Sequence, residues 1–328
     1  MTFTEKVKKK ALQLGADAVG IAPIERFAGA PVQMDPRQIM PEARSVIVMA
    51  FRFMRGSLRG IEEGTFFSNY SAMGYGGLTY LYIPLVVINL AKFIEDAGYE
   101  AFPMGHQSDW RAIDNAGVLR ANYSRPVAAG KPAPDVMIHL RIAAFLAGLG
   151  EIGYSKVFLT PQFGPRQRLG LVITEAELEP DPIYNGPKLC NRCLACVKEC
   201  PAAAISPTET VRVTLAGHLV EWGKLDWEAC NLGLQGARYA EEGDLITDYL
   251  PPVKGKKIAP NRYSPFHHKP PNVYKTGTSI CGGKGCLRAC LISLEKRNVL
   301  QNKFKMPFRR RPTWEVDWSR LPEKEEKK

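Results

Sequence analysis

Eight cysteines occupy the second half of this 328-residue chain: Cys190-x2-Cys193-x2-Cys196-x3-Cys200-Pro201, a single Cys230, and Cys281-x4-Cys286-x3-Cys290. They make two sets of four thiolates, the number that holds two [4Fe–4S] clusters and opens a path for single electrons. In the first run, three closely spaced thiolates can grip one cubane while the fourth, just before proline, reaches over to the other. Two other uses of cysteine fit less well. A disulfide framework belongs to small secreted domains, whereas this chain is long and is read as having no secretory leader. Zinc takes paired Cys-x2-Cys units, and a third cysteine at x2 followed by a fourth at x3 before proline is not that pattern.

The first run has the spacing of bacterial ferredoxins, whose exchange of fourth ligands staples the two halves together. The same logic assigns Cys190, Cys193, Cys196 and Cys290 to cluster A, and Cys200, Cys230, Cys281 and Cys286 to cluster B. The second run departs from that pattern. Its spacing is x4 then x3, and Leu291 stands where the proline would be, so its assignment rests on less.

Several elements must position these ligands. Thr4–Leu14 reads as a helix capped by Thr4 and ended by Gly15, with Val7, Ala11 and Leu14 at helical spacing. Ala18–Ile21, Ser45–Phe51 and Leu169–Thr174 read as strands. Tyr70–Tyr82 is too glycine-rich to be helical throughout. Pro84 opens an amphipathic helix carrying Val86, Leu90, Phe93, Ile94 and Ala97, closed by Gly98. A second helix, His139–Leu149, presents Ile142, Ala143, Leu146 and Leu149. Glu179–Pro187 is the expected domain boundary, and Pro251–Tyr274 a loose insertion between ligands of cluster B.

With 45% apolar residues the chain can bury large cores and divides most naturally into more than one unit. The most apolar run, Leu81–Ala91, is broken by Pro84 and Asn89 and is read as too short to cross a bilayer, so no transmembrane segment and a cytoplasmic location are expected. The formal charge is +11. Each oxidised cubane with its thiolates carries about −2, which brings the loaded protein to roughly +7. Lys303, Lys305 and Arg309–Arg311 concentrate part of the excess. They are read as a basic edge that docks an acidic electron donor such as a ferredoxin or flavodoxin, with a merely solvated surface the next choice and nucleic acid the least favoured.

The stretch AGLGEIGYSKVFLTPQFGPRQRLGLVITEAELEPD, followed by LCNRCLACVKECPAAAIS, resembles the reductive dehalogenases and the epoxyqueuosine reductases. LGADAVGIAP, SVIVMAF after PEAR, FIEDAGYEAFPMG and KLDWEAC extend the resemblance over roughly residues 5–295. It implies an α+β chain: a nitroreductase-like α/β cobalamin-binding and substrate domain at 1–180, a ferredoxin-like double [4Fe–4S] domain at 181–300, and a basic C-terminal tail at 301–328. It also implies an oxidoreductase that passes electrons through both clusters to a corrinoid and acts on a small molecule, most simply an organic halide. Action on a nucleoside or tRNA, and electron transfer to a partner's corrinoid, are the alternatives. Dehalogenases bound to membranes carry a twin-arginine leader and epoxyqueuosine reductases a C-terminal extension; neither is recognised here.

By the same resemblance, the motif Gly164-Pro165-Arg166-Gln167-Arg168 nominates Arg168 as the cation beside a proton-donating tyrosine. Tyr80 has the best offset and Tyr75 follows. A fixed cation lowers a phenol's pKa by stabilising phenolate. His106, where relatives often have Asn, is a polar contact or the acid. Gly148, Gly150, Thr160, Phe163 and Gly164 are nominated as cofactor-binding. The inserted stretch DNAGVLRANYSRPVAAGKPAPD is closer in length to the epoxyqueuosine side, and Asp135 lies one step from the acid expected there. No Asp-x-His-x-x-Gly element occurs, as suits a corrinoid with no protein ligand below its cobalt.

Overall fold

The computed structural model describes residues 1–105, 124–247, 250–266 and 280–317. Its elements, besides short 3-10 turns, are α1 (Phe3–Leu14), β1 (Ala18–Pro23), β2 (Ser45–Arg52), α2 (Arg59–Glu63), a π-helical segment (Tyr70–Tyr82), α3 (Ile83–Glu95), β3 (Ala101–Met104) and α4 (Leu140–Leu146). There follow β4 (Glu151–Ile152), β5 (Phe158–Leu159), β6 (Gln167–Thr174), α5 (Ala195–Lys198), β7 (Ile205–Leu215), β8 (His218–Leu225) and α6 (Trp227–Leu234). The last are β9 (Ala237–Tyr239), β10 (Ile258–Pro260), α7 (Ile280–Lys284) and α8 (Cys286–Lys296).

The fold is mixed α/β. β2 is buried from Ser45 through Phe51, as a continuous apolar run requires of a strand covered on both faces. It pairs with β1 and β6 in the antiparallel order β1-β2-β6-β3. Side chains alternate across the sheet. Ile47, Met49 and Phe51 pack under Val7 and Ala11 of α1 and Val86 and Leu90 of α3. Val46, Val48 and Ala50 meet Ala143 and Ala144 of α4 and Trp222 of the β7–β8 hairpin. The cap of α1 is Thr2 rather than Thr4: Thr2 accepts from the Glu5 N–H while Glu5 accepts from the Thr2 N–H, a capping box.

Three sequence expectations change. Tyr70–Tyr82 is helical throughout, but wound as a π-helix, whose wider turn takes in the glycines. It runs straight into α3, with Pro84 in the first turn of that helix, where a missing N–H costs little. Tyr70–Glu95 is therefore one helical stretch of 26 residues, long and apolar enough by length and composition to cross a membrane, not the short broken run the sequence indicates. Its α3 part buries Val86, Leu90 and Ile94 against the sheet and leaves Leu81, Leu85 and Ile88 exposed. Finally, part of the loose stretch Pro251–Tyr274 is strand β10, paired with β9.

The two halves share a core. Phe53, Leu58, Ile61 and Tyr70 pack with Leu287, Leu291 and Leu294 of α8 and with Phe308. The boundary segment is anchored too: Asp181 accepts from Lys8 Nζ at 2.6 Å and from the Ile21 N–H at 2.9 Å. Part of the expected basic edge also turns inward. Arg309 bonds Glu62 and Glu199, and the Trp314 indole donates to the carbonyls of Ile61 and Glu62.

Candidate active site and iron–sulfur ligands

A cleft lies where the halves meet. Its walls are Tyr70 and Tyr75 of the π-helix, His139 and Arg141 at the start of α4, Gln167 and Arg168 of β6, and Cys200, Cys230, Cys281 and Cys286. Apolar side chains including Val157, Phe158, Leu169 and Leu287 fill the intervals, the mix of apolar wall and few polar groups found in cofactor sites.

Arg168 is placed by strand pairing, opposite Phe51 of β2. Its guanidinium donates to the Tyr70 hydroxyl at 2.8 Å and lies 5.1, 5.7 and 5.3 Å from the ring centres of Phe53, Tyr70 and Tyr75. Three aromatic rings and one phenol thus fix the cation. Tyr70 is buried, and burial pushes its pKa up despite the opposing pull of Arg168. Desolvation of phenolate wins over the cation, so the phenol keeps its proton at neutral pH.

Tyr80, placed first by its offset, is instead half exposed and reaches Tyr75, hydroxyl to hydroxyl at 3.4 Å. The reason is pitch. In a π-helix, hydrogen bonds run from i to i+5, so Tyr70, Tyr75 and Tyr80 form one ladder, with Tyr70 at Arg168 and Tyr80 at the outer end. The sequence reading nominated Tyr80 and Tyr75 and missed Tyr70; the five-residue repeat of tyrosines was the available signal. His106 lies outside the described residues.

None of the five nominated cofactor contacts lines the cleft. Gly148 (φ +75°) ends α4, and a Cβ there would meet the Pro182 carbonyl at 2.1 Å; at Gly150 (φ +155°) it would meet the Leu159 carbonyl at 2.0 Å. These glycines permit close backbone approach. Gly164 packs on Leu294, Thr160 accepts from the Phe163 N–H, and the Phe163 ring lies under Arg52. All five serve packing and turns. Asp135 is exposed and is likewise absent from the cleft wall.

Several of the thiols act on one another. Cys290 is half-buried, and desolvation, then the neighbouring Cys190, Cys196, Cys193 and Cys286, raise its pKa well above the ordinary thiol value. Cys286 is pushed up to about 12 by burial and then by Cys200 and Cys230, and Cys196 to about 11 by burial, Cys190 and Cys193. Most of these neighbours share a set proposed from the spacing, while Cys286 also acts on Cys290 and Cys196 on Cys286. Buried thiols crowded by one another are poor free acids, and binding iron as thiolates relieves that. Among the described residues no three His, Cys, Asp or Glu side chains converge as they would on a single metal ion. The loop after Cys190 takes left-handed turns at Arg192 and Leu194 (φ 56° each), the local geometry that turns N–H groups inward around Fe–S sites. The Tyr154 and Ala204 N–H groups donate to the sulfurs of Cys190 and Cys200, each at 3.3 Å. Cys193 is the exposed thiol of the eight.

No family model matches the chain. It is 30% identical over 139 residues to a tetrachloroethene reductive dehalogenase of Dehalobacter restrictus, an alignment covering 42% of this chain and 20% of that protein. It is 28% identical over 208 residues to an epoxyqueuosine reductase of Gloeobacter violaceus, covering 62% and 55%. Among solved structures, a catabolic reductive dehalogenase in complex with 3-bromo-4-hydroxybenzoic acid aligns at 24% identity and a TM-score of 0.48, over 69% of this chain and 28% of that one. The chain thus spans about a fifth of the dehalogenase sequence it matches.

Proposed function

Because the chain belongs to the superfamily that holds the reductive dehalogenases and the epoxyqueuosine reductases, we propose that it is an oxidoreductase that carries electrons through two [4Fe–4S] clusters to a corrinoid and reductively dehalogenates a small organic halide. One observation carries this reading: a single cleft is walled both by the Tyr70–Arg168 pair and by Cys200, Cys230, Cys281 and Cys286. A cubane spreads its thiolates over four irons, so they need not converge as the ligands of one ion do. Residues 1–180 then correspond to a nitroreductase-like cobalamin domain and 181–300 to a ferredoxin-like one.

The residues present fit a corrinoid. Val157, Phe158 and Leu169 offer apolar wall, while His139 and Gln167 offer polar atoms in the same cleft. When bound, a corrinoid supplies a strongly reducing cobalt. Replacing carbon–halogen by carbon–hydrogen takes two electrons and one proton and releases halide. Tyr70 holds that proton at its hydroxyl, and Arg168 stabilises the phenolate left when it is given up. Cys193, the exposed thiol, would bring cluster A near an electron donor, and Cys200, Cys230, Cys281 and Cys286 on the cleft wall would hold cluster B beside the reacting groups. Lys296 at the end of α8 and Lys303 and Lys305 beyond it offer an acidic ferredoxin or flavodoxin its docking charge. Cysteines used as cluster ligands rather than disulfides would suit a reducing compartment, and a cytoplasmic location is part of this proposal.

Anaerobic protein loaded with iron, sulfide and hydroxocobalamin should retain cobalt, show the EPR signal of cobalt without a lower nitrogen ligand, and release halide from aryl or alkenyl halides under a low-potential donor. Tyr70→Phe should cut that release about 10²–10⁴-fold with iron and cobalt contents unchanged. Iron-loaded protein that retains no cobalt would overturn the reading in favour of an electron-transfer protein. Reduction of a modified nucleoside in tRNA is the second reading, favoured by the long alignment with the epoxyqueuosine reductase. The exposure of Asp135 weighs against it.

A further inference from the structure

His139 is a costly residue at its position. It is buried, yet neither Nδ1 nor Nε2 has a hydrogen-bond partner. It precedes α4 at the N-cap position, where Ser, Thr, Asp or Asn would bond the first free N–H groups, but its side chain makes no such bond. The imidazole is therefore not spent on the helix. It lines the cleft that holds Tyr70 and Arg168.

Burial, followed by the cations Lys156 and Arg141, holds the His139 pKa well below its ordinary value, so the ring is neutral, with one N–H donor and one bare acceptor nitrogen. Leaving both unmade in the interior destabilises the fold, and an apolar side chain of similar size would remove that loss. A group that fills the cleft can supply both partners instead. The carboxamides around a corrin ring each carry a donor and an acceptor, complementary to a neutral imidazole.

We infer that His139 is a binding residue of this cleft, its ring hydrogen-bonded to a peripheral carboxamide of the seated corrinoid. The inference rests on the corrinoid reading above. It assigns His139 neither to proton delivery nor to the cobalt. It makes the residue one that the fold carries at a loss until the cofactor arrives, a trade between stability and function.

The test uses the full chain with its iron–sulfur clusters, hydroxocobalamin as the probe, and His139→Leu and His139→Gln variants. Before cobalamin is added, His139→Leu should melt about 2–4 °C above the wild type, the shift that follows from removing the unpaired polar groups. In an optical titration it should bind hydroxocobalamin about tenfold more weakly, the loss of roughly one hydrogen bond left unmade. His139→Gln, which keeps a donor and an acceptor, should recover most of the affinity. Equal binding by wild type and His139→Leu overturns the inference and leaves the corrinoid reading standing. A lower melting point for His139→Leu also overturns it, by showing a structural role. A nitrogen hyperfine pattern on cobalt that disappears in His139→Leu overturns it in favour of axial ligation. If the wild type binds no cobalamin, the corrinoid reading itself fails and this inference falls with it.

Discussion

His139 also ties folding to pH. In the unfolded chain its imidazole takes up a proton near 6.5, whereas in the fold burial, Lys156 and Arg141 hold it neutral far below that. The unfolded state thus binds more protons as pH falls. Stability is whole above about pH 6.5 and is lost below it, by up to about 1.4 kcal/mol per pH unit until the folded ring titrates. Melting curves of the cobalamin-free wild type at pH 7, 6 and 5 should show this decline, and His139→Leu should show less of it; parallel declines would disprove the coupling. Of the residues in the cleft, Arg168 was legible because the GPRQR motif singles it out. Tyr70 was hidden because its stretch was read as too glycine-rich for a continuous helix. His139 gave a weaker sign, a histidine directly before an apolar helix where a capping residue belongs.

At the level of elements, the strands were readable where apolar runs are unbroken, as in Ser45–Phe51 and Leu169–Thr174. Their order β1-β2-β6-β3 was not, because pairing across the sheet depends on long-range contacts that no local pattern records. The glycine-rich helix was misread for a related reason: propensity is a weak prior that tertiary packing overrides. Gly74 there accommodates the Tyr70 ring, which a Cβ would meet at 3.2 Å. The proposed ligand exchange belongs to this scale as well, since α8 carries Cys286 and Cys290 on successive turns and would supply one to each proposed cluster. Iron analysis should give about eight irons per wild-type chain, four for each of two cubanes. Cys290→Ala should lose the cluster held with Cys190, Cys193 and Cys196 and keep the other, leaving about four irons and one EPR signal. Retention of both signals would break the crossed assignment.

Across the whole molecule, a buried charge network joins parts that the sequence reading kept separate. Arg288, fully buried on α8, pairs with Glu62 of α2 and, at 2.7 Å, with Glu199 of the first cysteine run. Arg309 bonds the same two carboxylates at 3.1 and 2.8 Å. Lys284 completes the cationic side, its pKa lowered to about 8 chiefly by burial, with its ammonium 4.0 Å from the Trp314 ring. Breaking a buried pair from one side leaves the partner charge uncompensated. Arg288→Met should therefore lower the thermal midpoint by an amount corresponding to about 3–5 kcal/mol, whereas Arg310→Met, on an exposed side chain of the same tail, should change it little. Similar midpoints for the two variants would show that the network contributes nothing net.

Arg309 lies 247 residues after Glu62, and that separation sets a timetable. A ribosome delivers Glu62 and Glu199 long before the residue that completes their compensation. The core shared by Phe53, Leu291 and Phe308 cannot close during most of synthesis. A nascent chain halted at residue 300 holds every cysteine but lacks the core partner Phe308 and the half-buried Trp314 that bonds Ile61, and keeps two carboxylates waiting in a half-built interior. Such a chain exposes apolar surface for as long as those residues are wanting, so the shared core closes only after Phe308 and Arg309 have been made.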